Sequence, residues 1–191
     1  MIFSCISDEE KALLKRLVGK KINCIKSEER DSWNRIFGNL EVIADDYEVE
    51  IRNELTETEY FGDTEDVSKF KIRKITSDAP FALIVEAPVY ETKIDNFVTD
   101  VIIVQDEITV KDSEGKPIYE ITMDEAIVIK MTNSTYVISR EWCLEEELIF
   151  LKTANYKESV YSVEDVASEW SDDDDGLVAS CHRSELSLVA D

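Results

Sequence analysis

The chain has one histidine, five glycines, three prolines and 21 basic residues in a length of 191. Each scarcity removes a class of chemistry. With His182 the only imidazole, no Ser-His-Asp set can be assembled without it. It stands beside Cys181, and neighbours on an extended strand point apart, so the pair makes a poor nucleophile and base. The glycines are not clustered, which leaves no Gly-rich loop to cradle a phosphate. Cys5, Cys24, Cys143 and Cys181 lack paired spacing, so neither a zinc site nor a disulfide framework is implied and a reducing compartment fits better. No apolar run has the length of a membrane span. The opening residues carry no basic n-region and reach Asp8-Glu9-Glu10 at once, so no secretory signal is expected and a cytoplasmic location is.

What the chain does have is apolar, β-branched sequence: 43% of it is hydrophobic. Val101-Ile102-Ile103-Val104 and Ala126-Ile127-Val128-Ile129 are too short for buried helices and read as strands covered on both faces. Between them, Ile108 to Val110, the turn around Gly115 and Ile118 to Ile121 make a strand, turn and strand. Further strands are expected at Trp33 to Phe37, Leu40 to Ala44 and Tyr47 to Arg52, separated by Gly38-Asn39 and Asp45-Asp46 turns. Leu55 to Asp66 reads as a polar connection, after which Phe70 to Arg73 and Phe81 to Val85 resume the sheet.

Two capping boxes frame the helices. Ser7-Asp8-Glu9-Glu10 opens a short helix that Gly19 stops, with a sheet edge or open end as its natural cover. Ser162-Val163-Glu164-Asp165 opens another that runs to Trp170. The fold expected is therefore α+β and β-rich, an antiparallel meander or partly open barrel or sandwich. Residues 1–162 would form the domain and 163–191 an acidic C-terminal extension, docked as a strand or free. A gapless shift of 86 positions lays Ile22–Ile43 over Ile108–Ile129 with five identities, which makes two similar β units an alternative.

Charge is the sharpest signal. There are 43 acidic residues against 21 basic, a net of −22. Residues 41–66 and 141–175 each contribute −10, whereas the first forty are slightly positive. Acid so concentrated repels nucleic acid and anionic membrane and attracts a basic protein. The four-aspartate run is a weak calcium motif: Gly176 at the sixth position puts Asp173 and Asp175 third and fifth, but Ser171 first and His182 twelfth. A solvated acidic turn is the better reading, and no metal or cofactor is expected.

Aromatic residues interleave with the acids, the composition of a binding surface for a cationic partner. The expected contact face is Asp45, Asp46, Glu48, Glu50 and Glu54 with Tyr60 and Trp142. The function class is binding and not catalysis. By analogy of composition, the first candidate is an immunity protein that blocks a bacterial toxin such as a nuclease. The alternatives are a nucleic-acid mimic occupying a DNA- or RNA-binding protein, and an accessory or structural β module of an assembly.

Overall fold

The two apolar runs pair with each other, Val101 opposite Ile129 and Val104 opposite Ala126. In the computed structural model, which describes residues 1–60, 62–142, 144–172 and 176–189, they lie at the centre of the sheet. The strands are β1 (Ile2–Ser4), β2 (Lys21–Ser27), β3 (Arg35–Phe37), β4 (Asn39–Ala44), β5 (Glu48–Tyr60), β6 (Asp63–Lys74), β7 (Tyr90–Lys111), β8 (Pro117–Met131), β9 (Thr135–Arg140), β10 (Glu147–Thr153) and β11 (Val178–Ser187). The helices are α1 (Asp8–Lys15) and α2 (Val163–Glu169). The chain is thus β-rich, an antiparallel meander with two short helices.

Strand order is β3-β10-β9-β8-β7-β2-β4-β5-β6, with β1 joined to β8 and β11 to β7. Two four-stranded antiparallel meanders, β2-β4-β5-β6 and β7-β8-β9-β10, meet where β2 pairs with the first part of β7. The 86-residue shift does not survive in the register. Ile22 pairs with Ala44, whereas Ile108, the residue laid over it, pairs with Ile121 and not with Lys130.

Both faces of the central strands are covered, as continuous apolar sequence requires. Val101, Ile103, Ile127 and Ile129 enter the main core with Ile25, Leu40, Val49, Ile51 and Phe70. Ile102, Val104, Ala126 and Val128 face the other way, under Leu151, Tyr156 and Val160. A third cluster sets Val166 of α2 and Trp170, which caps its C-terminus, against Ile108, Val110 and Ile121. The closing residues join the same sheet, since β11 pairs with β7 from Val178 opposite Lys111 to Ser187 opposite Ile102.

The edge strand β6 is closed by side chains. Glu10 completes its capping box by accepting from Ser7 N at 2.7 Å, and its other oxygen accepts from Ile72 N at 3.0 Å. The carbonyl of Ser68 accepts from Arg140 Nη1 at 2.8 Å and from Ser4 Oγ at 2.6 Å. Two backbone groups that could template another chain, Ile72 N and Ser68 O, are thereby occupied.

Four local expectations need correction. Leu55 to Asp66 is not a connection: β5 runs to Tyr60 and β6 returns from Asp63, with Thr58 opposite Glu65. Beyond the core both faces of this hairpin are polar, so alternation disappears while the backbone ladder persists. Phe81 to Val85 forms no strand. β2, β4 and β5 already have two neighbours each, so the run lies over the sheet, with Asn39 Nδ2 donating to Ala82 O at 2.8 Å and Asn39 Oδ1 accepting from Ile84 N at 3.2 Å. Trp33 stands outside β3, 73% exposed, because Asn34 takes a positive φ of 64°. Finally, Gly38 is no hairpin turn. β3 and β4 are consecutive pieces of one path that pair with different neighbours, β10 and β2. Gly38 has φ +83°, and a Cβ there would come 2.9 Å from Ile84 Cδ1.

Candidate functional site: a carboxylate-floored pocket and an acid-ringed apolar edge

Alternation along β5 sends Val49 and Ile51 into the core and Glu48, Glu50, Arg52 and Glu54 to the opposite face. Cross-strand partners share a face, so register aligns Glu91, Lys26, Glu41, Glu50 and Arg73 in one row over five strands. The row carries three acids against two bases. Glu50 is only 2% exposed: its Oε2 accepts from Arg73 Nε at 2.6 Å and its Oε1 from Asn39 Nδ2 at 2.8 Å. It is therefore held internally and does not face solvent.

Glu41, next along the row, is less well served. It is 3% exposed, and Lys26 Nζ lies 3.2 Å from its Oε2 in an ion pair. Burial pushes the Glu41 carboxyl up, Lys26 pulls it down, and the neighbouring Glu48 and Glu50 push it up further, leaving it raised. Residues 76–89 pass over this face, tied by Arg73 Nη1 donating to Ala79 O at 2.8 Å. Between them and the sheet is an open pocket of about 620 Å³, lined by Lys26, Glu41, Glu48, Ile75, Phe81 and Val89 among others. Glu48 is half-buried and in no ion pair among the described residues. Asp45 and Asp46 form the exposed turn just before it, with Asp46 Oδ1 at 2.5 Å from Lys20 Nζ.

Glu54 and Trp142 belong to a different place. From Asp46 to Asn53 the strand extends about 23 Å at its ordinary rise. There Asn53 Nδ2 donates to Glu145 O at 2.8 Å and Ser68 Oγ to Trp142 O at 3.4 Å, seating the β9–β10 connection on the β5–β6 hairpin. This contact joins the two acidic segments. Leu55 (38%), Trp142 (38%) and Leu144 (43%) are exposed here, close in the chain to Glu54, Glu57, Glu145 and Glu146. Glu54 pairs with Arg52, whereas Glu57, Glu145 and Glu146 form no ion pair among the described residues. Burial raises the Glu141 carboxyl, Arg35 opposes this, and Glu145, Asp31 and Glu147 add to it. Tyr60 ends β5, and its side chain, like Phe61, Cys143 and Asp173 to Asp175, lies outside what is described.

The expected contact face is thus two places. Glu48 lines the pocket, with Asp45 and Asp46 in the turn before it and Glu50 held beside it in the row, while Glu54 lies farther along the same face of β5 and Trp142 stands at the exposed apolar edge. Glu41 was not among the expected contact residues, although it opens the acidic segment of residues 41–66. The signal available was register, because an acid opposite Glu50 and beside Lys26 is part of a charge row.

Nucleophiles are suppressed elsewhere. Burial, then Asp106, pushes the Cys181 thiol up to about 12, and His182 is exposed on the other side of β11. Cys5 is buried and also pushed up to about 12, by burial first and then by Asp124. Among the described residues no three His, Cys, Asp or Glu side chains converge as a metal site requires. No helix among them is long and apolar enough to cross a membrane. Comparison with protein-family models, curated proteins and solved structures finds no match for the chain.

Proposed function

We propose that this chain is a non-enzymatic binding protein that captures a basic protein partner, and that it acts as an immunity protein against a bacterial toxin such as a nuclease. One observation carries the reading. Trp142, Leu144 and Leu55 are exposed where the two acidic segments meet, with Glu57, Glu145 and Glu146 left without internal cations among the described residues. An aromatic centre rimmed by carboxylates supplies contact energy from the apolar side chains and steering from the acids. Nucleic acid and anionic membrane are repelled by the same field, and a cytoplasmic location belongs to the same proposal.

A nucleic-acid mimic is the second reading, favoured by the hairpin arm, where Glu57 stands directly opposite Asp66 and both are exposed. The two readings separate in a cleavage assay. A basic protein captured by this chain from lysate of the source cells is incubated with DNA and RNA while the chain is titrated in. Stoichiometric loss of cleavage that persists in high salt supports the immunity reading, because apolar contact is not screened. Inhibition that disappears with salt supports the mimic. A captured protein with no activity on nucleic acid contradicts the nuclease assignment.

A further inference from the structure

We propose that the free edge of β11 is a self-association site, where a second copy of this chain adds its own β11 antiparallel about a two-fold axis at His182. The inference is independent of the basic partner. An unpaired sheet edge is a template for another strand unless something blocks it. At the ends of the strand order, β3 has only three residues and β6 has Ile72 N and Ser68 O occupied. β11 carries no such protection: it is ten residues long, contains no proline or lysine, and pairs with β7 without a register shift. Among the described residues β7 is its only strand neighbour.

The direction of its backbone groups follows from one bond. Leu188 N donates to Val101 O at 2.8 Å, so the even-numbered residues of β11 address β7. The N–H and C=O of Cys181, Arg183 and Glu185 therefore point away from it. Ala179 N, of the same set, donates to Ser171 Oγ at 2.9 Å.

The side chains choose the occupant. Ala179 and Cys181 lie under Val166 and Trp170, Arg183 is held by Asp106, and Glu185 accepts from Tyr156 Oη at 2.6 Å and lies 2.9 Å from Lys157 Nζ. The opposite face presents Val178, Ser180, His182, Ser184 and Leu186, all exposed. That row reads alike in both directions from His182. In an antiparallel pair about His182, Val178 (60% exposed) stands opposite Leu186 (46%) of the second copy, Ser180 opposite Ser184, and His182 opposite itself. Cys181 then exchanges backbone bonds with Arg183 of the second copy. A two-fold interface requires such self-complementarity, because each surface meets its own copy. The row carries no formal charge in a chain of net −22. It offers a basic protein no carboxylate, and it sets no acid against a second copy.

The test uses the intact chain. Light scattering at rising concentration is expected to show monomer passing to dimer, more readily at high salt, which screens the mutual repulsion of two acidic chains. His182→Lys, at an exposed position, sets two ammoniums opposite each other and is expected to weaken the dimer about fivefold. Register is read from cysteine variants under mild oxidation, since partners of this non-hydrogen-bonded kind stand about 4.5 Å apart at Cα, within disulfide reach. His182→Cys is expected to cross-link with itself, and Ser180→Cys with Ser184→Cys when the two are mixed. Wild type and each serine variant alone should give little cross-linking. A monomer at every concentration and salt would overturn the site. So would a dimer that His182→Lys leaves unchanged, or cross-links that ignore this register. Failure here leaves the Trp142 surface untouched.

Discussion

Individual residues of this chain are most informative where a carboxylate is buried inside an apolar strand. Glu125 is one: the pairing steps from Val104 opposite Ala126 to Gln105 opposite Asp124, which leaves Glu125 as the extra residue of a bulge. It is 4% exposed and its Oε1 has no hydrogen-bond partner. Burial pushes its carboxyl from 4.5 to about 8, with Arg140 opposing and Asp106 assisting. Because the folded value is raised, the unfolded chain ionises first. Stability attributable to this group is undiminished below the unfolded value, falls as pH rises between the two values, and levels off above the folded one. Glu125→Gln removes that slope. Relative to wild type, the variant is expected to gain on the order of 4 kcal/mol between pH 4 and pH 8. Urea unfolding of both proteins at the two pH values measures the gain, and a gap independent of pH would show that Glu125 is ionised in the folded state.

At the scale of elements, β11 is fastened to β7 by a buried ion pair as well as by its ladder. Arg183 donates from Nε to Asp106 Oδ1 at 2.7 Å, from Nη2 to Oδ2 at 2.6 Å, and from Nη1 to Tyr161 O at 2.6 Å. Asp106 is fully buried. Arg183→Met strands that carboxylate and is expected to cost about 3–5 kcal/mol, whereas Arg183→Met with Asp106→Leu should recover most of the loss. Denaturant midpoints of the two variants decide this. A double variant no more stable than the single would mean that Arg183 acts through Tyr161 and not through Asp106.

Elements whose cause is local were legible in the sequence. Ser7 with Glu10 and Ser162 with Asp165 both form reciprocal caps, because a capping box involves four residues and no tertiary contact. The runs at Val101 and Ala126 were legible as two-faced strands for the same reason. What escaped depends on neighbours far away in the chain. Phe81 to Val85 has a strand's composition and lies across the sheet because β2, β4 and β5 beneath it each already have two neighbours. Leu55 to Tyr60 lacks a strand's pattern and is one because β6 pairs with it. For the site, acidity marked the right segments, but charge counting could not tell Glu50, bound to Arg73, from Glu57, in no ion pair among the described residues. Nor could it show the burial of Glu41, which comes from a cover about 40 residues onward in the chain.

The whole molecule sets a strong negative field around an exposed apolar edge at Trp142, Leu144 and Leu55, where the two acidic segments meet. Under the proposed function, that field brings a basic partner close, and the edge supplies the affinity that salt does not screen. The most direct test of this division of labour is a set of parallel captures from source-cell lysate, quantified by mass spectrometry. The baits are wild type, Trp142→Ala, and the double variant Glu57→Gln with Glu145→Gln, each washed at low and then high salt. Wild type is expected to retain one basic protein through the high-salt wash. Trp142→Ala should lose it at that wash, and the carboxylate variant should capture less of it at short contact times while holding what it captures. Equal retention by all three baits, or no enrichment of wild type over an acidic control of matched charge, would contradict a binding role for the Trp142 edge and its acids.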